Sequence, residues 1–311
     1  MFHFLPIMMN SGELNALISL LDDMDEEIIS HVTEKLLTYG QDILPLLEDR
    51  YLTEPEKSVQ LKIHFIIDKI HFSQLKRELV QWAESGGNDL FEGIYLVSKF
   101  RYPELNKQSL NNQIDKIKLD AWLELNFQLS PLDKVRILNY IFYDLHGMKG
   151  NSENYHSPDN SFINKVLETK NGNPISLAIL YSIIAQRLNI PIFGVNLPQH
   201  FVLAYRDDSK LKTDNSYKGN AYLNYQTGGE VIFYINAFNR GAIFSKWNVD
   251  QFLKQLNIPS ADFYYLPCSN VDIILRVFRN LSFAYEKLND HPRMDAIKEL
   301  SLLLQPYALI I

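Results

Sequence analysis

Apolar residues fall at helical spacing over the first third of the chain. Leu14, Leu17, Ile18 and Leu21 recur three and four residues apart behind Ser11, a plausible helix cap. Ile28, Ile29, Val32 and Leu36 form a second stripe that begins near Asp25 and stops at Gly40. A third segment starts near Asp42 and carries Ile43, Leu46 and Leu47. Residues 56–84 hold Leu61, Phe65 and Ile66, then Leu75, Leu79 and Trp82. Short helices joined by short turns predict a stack of helical hairpins or an irregular helical domain, because no strict repeat period is present. The turn SGGND (85–89) and Tyr102-Pro103 punctuate the end of this region.

The helical pattern continues through Ile114, Ile117, Leu119, Trp122 and Leu123, and then through Val135, Leu138, Ile141 and Phe142 behind Pro131. A long polar loop follows at 146–161, and long loops in compact domains are often functional. The character changes at Asn171. Asn173 is a candidate N-cap, and Pro174 sits in the first helical turn, where its missing N–H costs nothing. The helix predicted over Ile175–Leu188 is apolar nearly all round, so it is buried. Strand-like runs follow at Ile192–Asn196, His200–Tyr205, Tyr222–Tyr225 and Glu230–Asn236. Asp207–Asn220 and Thr227-Gly228-Gly229 read as hairpin loops between them. From Asp250 the chain returns to helix. Leu275, Phe278, Leu281, Tyr285 and Leu288 form one stripe, and Ala296, Leu300 and Leu303 another, beyond a turn at Asn289–Pro292. This hairpin spans about 34 residues, the length of one tetratricopeptide unit. The pattern predicts a helix-rich α+β protein whose buried helix packs with an antiparallel sheet.

Composition narrows the functional classes. At roughly 150 residues per domain, 311 residues suggest two or three domains. Thirty Lys and Arg stand against 37 Asp and Glu, a net charge of −7. That balance argues against a nucleic-acid coat, which needs clustered cations. The single cysteine, Cys268, supports neither an internal disulfide nor a cysteine metal cluster, and it fits a reducing compartment. The opening MFHFLPIMMNSGELN has no Lys or Arg and makes a poor signal peptide. The longest apolar run, Pro174–Ala185, is too short to span a bilayer. A cytoplasmic location, no membrane association and no cofactor are the expectations, since no glycine-rich phosphate loop is present.

The candidate chemistry gathers around the buried helix. Ser176 lies in its first turn, where the helix dipole favours negative charge. His200 opens one strand and shares a face with Val202 and Ala204; Asn236 ends another. A nucleophile on a helix start, a His on a strand and an Asn or Asp on the next is the order used by papain-like and transglutaminase-like enzymes. Each residue also has a structural reading: Ser176 as a first-turn cap, His200 as a core histidine, Asn236 as a partner for backbone groups at a strand end. His146 and His156 flank the long loop. With Asp144, Glu153 or Asp159 as a third ligand their spacing matches no metal pattern, so no metal is expected.

The run NGNPISLAILYSIIAQRLNIPIFGVNLPQHFVLAY (171–205) resembles the SirB1 group of transglutaminase-like proteins. So do NSENYHSPDNSFINKVL (151–167) and INAFNRG (235–241). The resemblance implies a transglutaminase-like core over 104–255, a HEAT-like helical region at 1–103 and a tetratricopeptide-like tail at 256–311. Its motifs supply Asn160, Asn173, Pro174, Asn196, Gln199 and Phe238 as candidate binding residues. Three departures stand out. The position of the nucleophilic cysteine in active relatives falls on Pro174. The Gly of Pro-Gly-His-Phe is Gln199. The Asp of Ile-Asp-Pro-Phe is Asn236. The resemblance therefore implies a degenerate core that binds a protein or peptide partner. The alternative is a cleft hydrolase or acyltransferase using Ser176, His200 and Asn236.

Overall fold

In the computed structural model, which describes residues 11–207 and 229–309, the apolar stripes fold as expected into helices before residue 104. The chain divides into two units, Met1–Arg77 and Glu78–Ile311. The first holds α1 (Ser11–Ser19), α2 (Glu26–Tyr39), α3 (Leu44–Thr53) and most of α4 (Lys57–Glu84). Asp25 starts α2 as a side-chain cap, its Oδ1 accepting from the Glu27 amide at 2.9 Å. Leu14, Ile18, Val32, Leu36, Ile43 and Leu47 form the core of this unit. From α4 the core takes Val59, Ile63, Ile66 and Ile70. Leu61 and Phe65, expected on the apolar stripe, are instead exposed. The buried positions step by four and three from Val59, which puts residue 61 about 200° away on the opposite face.

The second unit holds the sheet. Its helices before the sheet are α5 (Leu90–Lys99), α6 (Lys107–Glu124), α7 (Pro131–Asn139), α8 (Ile163–Thr169) and α9 (Pro174–Arg187). α7 runs on into a π-helical turn at Tyr140–Leu145. On α6, Ile114 and Ile117 are buried, but Leu119, Trp122 and Leu123 face outward. The long polar loop contains β1 (Lys149–Gly150), which pairs in parallel with β2 (Asn171–Gly172) just before α9. Strands β3 (Ile192–Leu197), β4 (His200–Asp207), β5 (Glu230–Asn236) and β6 (Ala242–Phe244) lie in that order, each antiparallel to its neighbour. The expected strand Tyr222–Tyr225 and most of its flanking loops lie outside the described residues. After the sheet come α10 (Lys246–Gln255), α11 (Asn270–Lys287) and α12 (His291–Leu304). α11 and α12 form the expected hairpin. Its buried stripe on α12 is Ile297, Leu300 and Leu304, so the expected Ala296 and Leu303 sit beside it.

The two sides of the sheet meet different helices. Val195, Leu197, Val202, Ala204 and Tyr234 share one face and pack with Val249 and Leu253 of α10. Strand alternation sends Phe201, Leu203 and Tyr205 to the other face. There α9 lies against β3 and β4, and Gly194 comes close to Phe201 and to Ile273 of α11.

Buried polar contacts tie α7 and α9 to the end of β5. Tyr181 of α9 donates to Asn139 Oδ1 at 3.0 Å, and Asn139 Nδ2 donates to the Gly241 carbonyl at 3.0 Å. Tyr143 donates to the Ala237 carbonyl at 2.8 Å. Gly241 has φ 69°, and a Cβ there would sit 1.9 Å from Asn139 Oδ1. Gly241→Ala is therefore expected to lower stability by at least about 2 kcal/mol, read as a fall in the urea midpoint. The β3–β4 hairpin makes the opposite case. Pro198 fixes its own φ near −65°, and Gln199 adopts φ 59°, a value that favours glycine at this turn position. Gln199→Gly is expected to raise stability by about 0.5–1 kcal/mol in the same experiment.

Candidate functional site

α9 is buried from Ile175 to Ala185, so its first amides have no water to bond to. A reciprocal capping box supplies the partners. Asn173 Oδ1 accepts from the Ser176 amide at 2.9 Å, and Ser176 Oγ accepts from the Asn173 amide at 3.0 Å. Ser176 Oγ also donates to the Asn173 carbonyl at 3.2 Å, and no part of Ser176 is exposed. A Cβ on Gly172 would lie 2.7 Å from Ser176 Oγ, so the chain before the helix presses directly on this hydroxyl.

The box extends into the long loop. Asn173 Nδ2 donates to Ser161 Oγ at 2.9 Å. Asn160, also buried, donates through Nδ2 to the carbonyls of Asn154 and Tyr155 at 2.8 and 3.1 Å. Its Oδ1 accepts from Asn151 Nδ2 at 2.9 Å. A small cavity of about 90 Å³ lies alongside, lined by Tyr155, His156, Ser161, Asn173 and Phe283 of α11. The Phe238 ring packs edge-on against Tyr155, 5.9 Å between centroids. Asn160, Asn173, Pro174, Ser176 and Phe238 are thus brought to one end of α9.

His200 and Asn236 are not brought into hydrogen-bond contact with Ser176. His200 shares the α10 face of the sheet with Val202 and Ala204, and its ring lies 5.0 Å from that of Phe252. Partial burial, helped by the nearby Arg276 cation, pushes its pKa below the ordinary histidine value. Asn236 Oδ1 accepts from the amides of Phe238 and Asn239, both at 3.1 Å, and so caps the short 3₁₀ turn that follows β5. Among the described residues, no hydrogen bond joins Ser176, His200 and Asn236 in any pair. Asn196 accepts from Arg276 Nη1 at 2.9 Å, and Gln199 occupies the exposed β3–β4 turn.

The other chemical candidates have local partners. His146 Nε2 lies 2.7 Å from Asp120 Oδ2, whereas His156 packs on the rings of Tyr155 and Phe283. The Cys268 thiol is buried against the Gly194 carbonyl at 3.4 Å, and burial pushes its pKa far up, leaving an inert neutral thiol. Sequence reasoning missed Ser161, Asn151 and Asn139. The clustered Asn and Ser of the loop were the available signal, because such residues trade backbone turns for side-chain bonds.

Comparison with known proteins fits this architecture. A model of the transglutaminase-like superfamily matches residues 108–279, more than half of the chain. The chain belongs to that superfamily. It is 27% identical over 212 residues to a UPF0162 protein of Xylella fastidiosa strain 9a5c, covering 68% of this chain and 70% of that protein. It is 25% identical over 218 residues to the UPF0162 protein YchA of Escherichia coli, covering 70% and 73%. It is 36% identical over 83 residues to mouse F-box only protein 21, covering 27% of this chain and 13% of that protein. No solved structure matches it. No helix among the described residues is long and apolar enough to cross a membrane.

Two outcomes are expected. Asn173→Ala removes the cap and leaves buried amides unpaired, which lowers stability by about 2 kcal/mol in chemical denaturation. The lowered pKa of His200 means that the unfolded chain binds its proton more readily than the folded one. His200 therefore contributes stability in full above its unfolded pKa of about 6.5, and that contribution is lost as pH falls through the lower folded value. His200→Phe is expected to flatten this part of a stability–pH curve.

Proposed function

We propose that this protein is a degenerate transglutaminase-like module that binds a protein or peptide partner without turning it over. The observation that carries this reading is the sealed Ser176 hydroxyl, which caps its own helix. The SirB1 resemblance, which puts Pro174 where active relatives carry the cysteine, agrees with it. The separation of His200 and Asn236 from that hydroxyl supports it further. Exposed Leu119, Trp122 and Leu123 on α6, with Phe127 just beyond, form an apolar face of the kind that partners cover. In the same reading the chain is a cytoplasmic member of the SirB1 group. Residues 1–103 act as a HEAT-like region, 104–255 as the core and 256–311 as a tetratricopeptide-like tail.

Fluorophosphonate and iodoacetamide probes, applied to the folded full-length chain, are expected to label neither Ser176 nor Cys268. Stoichiometric modification of Ser176 in native protein would sink the proposal and restore a cleft hydrolase or acyltransferase. The binding half is tested by selecting a peptide library on the immobilised chain. Enriched sequences whose capture drops with Trp122→Glu and Leu123→Glu are expected. Capture that ignores both substitutions contradicts the role given to the α6 face.

A further inference from the structure

A cavity of about 640 Å³ opens between α11, α12 and the 3₁₀ turn Gln305–Tyr307. Ligand pockets for small organic molecules run from roughly 300 to 1,000 Å³, so the volume suits one. Part of the wall is apolar. Phe283 leaves 45% of its surface exposed, and Leu275 is half-buried.

The two arginines of this wall have no ion-pair partner among the described residues. Arg276 is half-buried, and its Nη1 donates to Asn196 Oδ1 at 2.9 Å, a neutral amide. Arg279 follows one helical turn later on α11 and is exposed. Among the described residues, neither guanidinium forms an ion pair. Burial, and after it the neighbouring Arg279 charge, draws the pKa of Arg276 below its ordinary value. Two like charges one turn apart, with Arg276 half out of water, are an unfavourable arrangement that an anion would relieve.

Among the described lining residues two carboxylates, Asp272 and Glu286, stand against three cations, Arg276, Arg279 and Lys298, so the wall stays net positive. Asp272 is buried and its carboxylate is already used: Oδ2 accepts from the Ser269 hydroxyl at 2.6 Å, and Oδ1 from the Leu309 amide at 3.1 Å. Glu286 is exposed two turns beyond Arg279. Lys298, on α12, adds a third cation and lies 3.9 Å from Asp295, a loose contact. The Ser282 and Ser301 hydroxyls also line the space and can donate hydrogen bonds.

We propose that the α11–α12 cavity binds a small organic anion, with its carboxylate or phosphate held between the Arg276 and Arg279 guanidiniums and its apolar body against Phe283 and Leu275. The planar fork of arginine matches both anionic groups. The inference does not depend on how the capping box at α9 is read, because it uses a different cavity and none of the box's hydrogen-bonding residues, although Phe283 lines both spaces.

The test uses 1-naphthyl phosphate, 1-naphthoate and neutral 1-naphthalenemethanol, each titrated into the full-length protein by calorimetry. At least one anion is expected to bind at a single site, roughly tenfold or more tighter than the alcohol. A preference for the phosphate or for the carboxylate identifies which group the site takes. Arg279→Gln, at an exposed position, is expected to weaken the anion by roughly tenfold to a hundredfold, with the thermal midpoint unchanged. Arg279→Lys, which keeps the charge but loses the fork, is expected to fall between. Equal binding of the alcohol, affinity that ignores both Arg279 variants, or no saturable binding at millimolar ligand would each overturn the proposal.

Discussion

A helix buried on every side must satisfy its own first amides, and the N-terminus of α9 is organised around that requirement. Asn173 and Ser176 exchange hydrogen bonds across the first turn, and both are removed from water. Because Asn173 also holds Ser161, the cap extends into the loop that Asn160 folds. The parallel bridge between β1 and β2 fixes the same loop from its other end. The features that a nucleophilic site would use at a helix start are thus employed in holding the protein together.

The sheet imposes a second separation. Alternation along β4 sends Phe201, Leu203 and Tyr205 to the side of α9, whereas His200 goes with Val202 and Ala204 toward α10. Asn236 spends its side-chain oxygen on the turn that follows β5. A transglutaminase-like core is therefore present in which, among the described residues, Ser176, His200 and Asn236 form no hydrogen-bonded set. Membership of a superfamily establishes the scaffold, while activity depends on the site that the scaffold carries.

Much of the architecture was legible before the structure. Asn173 before Pro174 marked the start of α9, and its all-round apolarity marked its burial. The even spacing of β4 already placed His200 on the face of Val202. Other features depended on tertiary context. Periodicity proposed Leu61 and Phe65 for the core, but the apolar residues of α4 lie on two faces, and only packing selects the one through Val59 and Ile63. Leu119, Trp122 and Leu123 keep helical spacing among themselves but lie about 140–240° round from Ile117, and they point outward. The roles of Asn139 and Arg276 rest on partners dozens of residues away, Gly241 and Asn196, and that of Ser161 rests on Asn173 across the loop; no local pattern announces them.

The central claim is that Ser176 is a sealed structural cap, uncoupled from His200. The most direct measurement is the alkylation rate of the thiol introduced by Ser176→Cys, followed against pH with and without His200→Ala. The account predicts a thiol that reacts only when the protein unfolds, with the same pH profile in both backgrounds. Rapid alkylation in the native state, with a low thiolate pKa that rises when His200 is removed, would contradict it.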